Sequence, residues 1–104
     1  MIFPDSWRLI DKINFVQRKI LLNSIMYYQH DRNFISDFHY DDCCKKLVKL
    51  HKAYGPDFAD DSMYGYAFYD FDGSTGYHLY SRLTEEDKQW LGLIVQQKLD
   101  IKEW

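Results

Sequence analysis

A helix that must be covered on two sides sets the plan of this chain. It is expected to start near Pro4-Asp5-Ser6, which offers a capping residue and an acidic first turn, and to run to about Gln29. Within it Leu9, Ile13, Val16, Ile20 and Tyr27 repeat at helical spacing, and Phe15, Leu22, Ile25 and Met26 form a second apolar stripe. A helix apolar over so much of its circumference belongs inside a bundle, as the spine of a domain. The length of 104 residues supports one such domain. The two stripes also leave a dimer open.

His30-Asp31-Arg32-Asn33-Phe34-Ile35 is a short connector. A second helix is expected from Ser36, a good N-cap, to the stop at Gly55-Pro56. Its inner stripe is Tyr40, Cys43, Cys44, Leu47, Val48 and His51 or Tyr54, and Lys45, Lys46, Lys49 and Lys52 make a solvated face. After an acidic loop, Tyr64 to Phe71 and Tyr77 to Leu83 read as two strands joined by a turn at Asp72-Gly73-Ser74-Thr75-Gly76. Thr84-Glu85-Glu86-Asp87 resembles a capping box with Asp in place of the longer Glu, and a helix follows to about Leu99. The expected fold is mainly α with a small β-hairpin (α+β). An antiparallel helical hairpin over about 5–55 precedes a two-stranded hairpin and a C-terminal helix over 56–104.

A hydrophobic share of 46% and an aromatic share of 18% exclude disorder by composition. The net charge of −3 argues against a module that holds nucleic acid directly. The start of the chain lacks a signal-peptide signature, and no apolar run reaches the ~18 residues of a membrane span. Cys43 and Cys44 are adjacent, a spacing that fits neither a disulfide nor a metal clamp, so a reducing cytoplasm is the expected setting. His39 and Cys43 stand at i, i+4, but no second pair completes a metal site, and none is expected. Asp70-x-Asp72-Gly73 and Gly73-Ser74-Thr75-Gly76 lack the remaining marks of a calcium loop or a phosphate loop, and both read as turn.

One constellation stands out. Tyr27 and Tyr28 close the first helix, and Asp37, Tyr40 and Asp41 occupy i, i+3, i+4 at the start of the second. Folding the helices back on each other sets two aromatic rings against a carboxylate–tyrosine–carboxylate face. Tyrosine faces attract a flat cationic ring, and carboxylates accept hydrogen bonds from ribose hydroxyls or an amide. A phosphate at the helix start needs His30 or Arg32 to offset the two aspartates. Oxidised nicotinamide mononucleotide, free or as half of NAD, has all of these parts.

The run Ile20-Leu21-Leu22-Asn23, Tyr27-Tyr28, Asp31, Ile35-Ser36-Asp37, Tyr40-Asp41, Leu47 and Leu50 resembles the N-terminal Ia domain of bacterial NAD-dependent DNA ligases. That family shows an L-N helix ending in Y-Y or Y-H, a D-x-P-x-I-S-D connector and an E-Y-D helix start. The match covers about residues 8–55. The resemblance implies that Tyr27, Tyr28, Asp37, Tyr40 and Asp41 cradle nicotinamide mononucleotide. Asn33 stands in place of the connector proline and His39 in place of the glutamate, and the chain has no K-x-D-G nucleophile motif. It therefore looks like the small stand-alone ligase-related proteins of bacteriophages, a binding module and not a catalyst.

The other expectation comes from the second half. Between Lys52 and Arg82 there is no Lys or Arg, yet Asp57, Asp60, Asp61, Asp70 and Asp72 lie there among nine aromatic residues. Tyr64, Tyr66, Tyr69, Asp70 and Asp72 would then form a protein-binding surface, as in a phage-encoded inhibitor or anti-defence protein acting on a host factor.

Overall fold

The computed structural model describes residues 3–30, 36–73 and 77–101, except the side chains of Tyr28, Tyr77 and residues 99–101. In order they form α1 (Leu9–His30), α2 (Asp37–Tyr54), α3 (Phe58–Asp61), α4 (Gly65–Phe68), a 3₁₀ helix (Tyr77–Arg82) and α5 (Glu85–Ile101). The helix α1 starts later than its sequence signal suggests. Asp5 and Ser6 belong to a turn in which the Trp7 N–H reaches the Pro4 carbonyl at 3.1 Å. The N-terminal donor that needs a partner is that of Arg8, and the Asp11 carboxylate accepts it at 3.0 Å. At α2 the sequence reading holds: Ser36 Oγ accepts the His39 N–H at 3.1 Å, and the Gly55 N–H closes on the His51 carbonyl.

The spine is enclosed as its two stripes demand. Seven consecutive residues of α1, Ile20 to Met26, are all buried, including Asn23 and Ser24. Such a run is possible only where neighbours surround the helix, and α1 packs against α2, α5 and the 3₁₀ helix. From α2 come Tyr40, Cys43, Cys44, Leu47 and His51; from the later elements come Tyr64, Phe68, Leu79, Leu83, Leu91 and Val95. Both cysteines are free, and burial pushes the Cys44 thiol up to about 12. It is a packing residue with no thiolate at neutral pH.

The expected β-hairpin is absent, and with it the α+β class: among the described residues the fold is mainly helical, without a strand. Where the first strand was expected, α4 lies, and where the second was expected, the 3₁₀ helix. The reason is visible in what is buried. Tyr64, Ala67 and Phe68 are inside and Phe71 half-buried, the i, i+3, i+4, i+7 set of a helix, whereas Tyr66 and Tyr69 face out. The anticipated turn residues Ser74, Thr75 and Gly76 lie outside the described residues.

At α5 the capping box is completed by a third side chain. Thr84 Oγ1 accepts the Asp87 N–H at 3.1 Å, as expected. The Asp87 carboxylate does not take the Thr84 N–H in return. Instead that N–H donates to the Tyr66 hydroxyl at 3.2 Å, and the hydroxyl donates to Asp87. Tyr66 thus bridges the gap that a side chain one methylene shorter than Glu leaves. Tyr66→Phe should lower stability by about 1 kcal/mol. Adding Asp87→Glu to it should recover part of that loss, read as the urea midpoint of each variant.

Candidate functional site

The constellation from the sequence is divided by the fold. At the end of α1, Tyr27 emerges directly after the buried run and is 42% exposed; His30 is also exposed. At the start of α2, Asp37 and Asp41 are exposed, but Tyr40 between them is 5% exposed. The face shared by i, i+3 and i+4 spans about 100° of the helix. Tyr40 lies at its inner edge with Cys43, Cys44 and Leu47, and its hydroxyl interacts with the Cys44 thiol. Tyr40, expected both on the inner stripe of α2 and in the nucleotide cradle, belongs to the core, and its expected ligand contact is corrected. Arg32 and the rest of the connector from 31 to 35 lie outside the described residues, as does the side chain of Tyr28.

The expected protein-binding surface is altered more deeply. Tyr64, placed there by the sequence, is 1% exposed and packs in the core. Tyr66 is tied to Thr84 and Asp87. Asp70 is not a bare acid either. Arg82 folds back to it with two contacts, Nη1 to Oδ1 at 2.5 Å and Nη2 to Oδ2 at 3.0 Å, and holds its carboxyl below the usual carboxylate range. The same guanidinium donates to the Ala67 carbonyl at the end of α4 and covers the Tyr69 ring at 4.9 Å. Tyr69 and Asp72 remain exposed. The cation at the border of the base-free stretch thus neutralises one of the carboxylates, Asp70, on a surface that the sequence made look purely acidic.

Two features were missed by sequence reasoning. The first is a polar knot inside the core. Gln17 of α1 is fully buried; its Oε1 accepts the Tyr64 N–H at 3.2 Å, and its amide donates to Ser62 Oγ at 3.0 Å and lies 3.3 Å from His51 Nε2. The Tyr64 bond fixes which way the amide points, so Nε2 of His51 accepts and the ring is neutral with its proton on Nδ1. His51 stacks on Phe58 with ring centroids 3.7 Å apart, and its buried Nδ1 has no hydrogen-bond partner among the described residues. Ser62 Oγ donates to the Phe58 carbonyl at 2.5 Å, so its proton points away from His51 and the two do not form a nucleophile–base pair. The only signal in the sequence was a glutamine on an otherwise apolar helix face.

Burial pushes the His51 imidazole down from its ordinary 6.5 to about 4. The unfolded chain then binds more protons than the folded one between those values. The contribution of neutral His51 is complete above pH 6.5 and is lost as pH falls to about 4, on the order of 3 kcal/mol in all. Urea midpoints measured from pH 7.5 down to 4.5 should fall in the native protein. With His51→Gln the fall should shrink to what the carboxylates cause.

The second feature is a groove between α1 and α5, about 620 Å³ in volume. One wall is Phe15, Arg18, Lys19 and Leu22, and the other carries Trp90, Ile94 and Lys98. Phe15 and Leu22 on the first wall were read as part of a core stripe, which hid their pairing with Arg18 and Lys19 at i+3 and i+4. A smaller hollow of about 340 Å³ lies beside His51, Phe58 and Phe71.

Among the described residues no group of three or more His, Cys, Asp or Glu is placed to hold a metal ion, and no helix is long and apolar enough to cross a membrane. No protein-family model, curated protein or solved structure matches this chain.

Proposed function

We propose that this protein is a non-catalytic recognition module that binds the nicotinamide mononucleotide moiety of NAD where α1 ends and α2 begins. The observation that carries the reading is the exposure of Tyr27 at the end of α1 and of Asp37 and Asp41 at the start of α2. An exposed aromatic side chain combined with two exposed carboxylates suits a cationic ring bearing ribose hydroxyls. In this reading Tyr27 supplies the stacking face, Asp37 and Asp41 accept from the ribose or the amide, and buried Tyr40 holds the first turn of α2 in place from beneath. The Ser36 cap fixes that turn and therefore the direction of both aspartates.

Calorimetry with nicotinamide mononucleotide, NAD and AMP tests it. Saturable heat is expected with the first two and none with AMP, which has no cationic ring. Asp37→Ala should weaken binding about tenfold or more, the effect of losing a charge-assisted hydrogen bond. Tyr27→Ala should weaken it about threefold to tenfold. Absence of heat at millimolar ligand, or an Asp37→Ala protein that binds like the parent, would overturn the reading.

A further inference from the structure

We propose that the groove between α1 and α5 is a docking site for an acidic amphipathic helix of a partner protein. Its shape is the first support. Phe15, Arg18, Lys19 and Leu22 recur at i, i+3, i+4, i+7 along α1, and Trp90, Ile94 and Lys98 at i, i+4, i+8 along α5. Each wall is thus about two helical turns long, roughly 10–12 Å. Its floor is apolar, with Leu22 buried and Ile94 half-buried, and its lips are Phe15 at 38% and Trp90 at 54% exposure. A helix that presents apolar anchors two turns apart fits such a trough.

Charge selects the occupant. The chain carries a net charge of −3, yet Arg18, Lys19 and Lys98 are gathered on this groove. Neither Arg18 nor Lys19 enters an ion pair among the described residues. An apolar stripe flanked by Asp or Glu would fill the floor and meet Arg18 and Lys19. A second copy of the chain fits poorly, because a two-fold contact would set Arg18 and Lys19 against their own counterparts. A nucleic acid strand fits less well than a helix, since the basic track is short and the rest of the protein is acidic.

The groove lies on the α5 side of α1 and owes nothing to the nucleotide site, so Trp90→Ala should leave nicotinamide nucleotide binding unchanged. The test uses the isotope-labelled protein and a synthetic amphipathic peptide with leucines at helical spacing and glutamates on both flanks. Amide shifts should move at Phe15, Leu22, Trp90 and Ile94. Affinity should fall about tenfold or more in Trp90→Ala, whose exposed side chain leaves the fold intact. Arg18→Glu with Lys19→Glu should abolish binding of this peptide and create binding of its lysine-flanked counterpart. Any of three results overturns the proposal: shifts that map elsewhere or stay flat at millimolar peptide, equal binding of both peptides by the parent protein, or a single-stranded oligonucleotide that binds the groove more tightly. Sedimentation that shows a dimer dissociated by Trp90→Ala would overturn it as well.

Discussion

Gln17→Leu should destabilise the protein by about 4 kcal/mol, a large part of the 5–15 kcal/mol that holds a domain of this kind together. The substitution keeps the volume nearly constant, so no large cavity opens. What it removes is the shared partner of three groups: the Tyr64 N–H, His51 Nε2 and Ser62 Oγ. Ser62 retains the Phe58 carbonyl, but the other two lose the hydrogen bonds they have among the described residues, and both belong to buried residues. Each buried group left unsatisfied costs about 1–3 kcal/mol. Asn14→Ala is the comparison. It also removes the acceptor of one backbone donor, the Met63 N–H at 2.7 Å, but in an exposed position where water can substitute. Chemical denaturation should show a loss of about 1 kcal/mol or less there. Equal losses for the two variants would mean that burial of the knot has no energetic weight.

Gly65→Ala should be nearly as damaging, about 3 kcal/mol, for a steric reason. The first turn of α4 lies directly on the backbone of α3. A Cβ at residue 65 would fall 2.5 Å from the Phe58 carbonyl oxygen and closer still to that of Ala59. Both obstacles are main chain, which cannot rotate aside as a side chain does. To accept the methyl group, α3 and α4 must separate, and Ser62, Tyr64 and Phe68 would be pulled from their places around Gln17 and His51. Gly55→Ala makes a useful contrast. No atom lies within 4 Å of its added Cβ, so any loss there comes from a φ of 98° and not from crowding. Thermal unfolding should place Gly65→Ala well below the parent, and its near-UV circular dichroism should weaken.

The two variants also show where the sequence could be read and where it could not. The helices α1, α2 and α5 were legible because spacing and caps agreed: Ser36 and Thr84 both cap as their residue types promise. The stretch from Tyr64 to Leu83 satisfied two periods at once. Tyr64, Tyr66 and Phe68 alternate like a strand, while Tyr64, Ala67, Phe68 and Phe71 repeat like a helix. What decides between them is the close approach that Gly65 permits, a contact with α3 that no local pattern reveals. The candidate site was legible in the same degree. The exposure of Asp37 and Asp41 followed from the Ser36 cap, and the burial of Tyr40 from its place on the inner stripe of α2; spacing alone did not show that the core, and not the ligand cradle, claims its ring. The return of Arg82 to Asp70 across twelve positions was beyond any reading by spacing.

The sealed run from Ile20 to Met26 has a consequence for how this protein can change over time. Each of those residues is buried, in a helix that packs against three different elements. A substitution there has no solvent side on which to be silent. It is tolerated only if a second residue, on α2, α5 or the 3₁₀ helix, changes with it, so the effects of paired substitutions will not add. Tyr27, one position further on, is the first residue after the run to reach solvent, at 42% exposure. The most tightly coupled stretch of α1 therefore ends between Met26 and Tyr27, at the edge of the proposed nucleotide site.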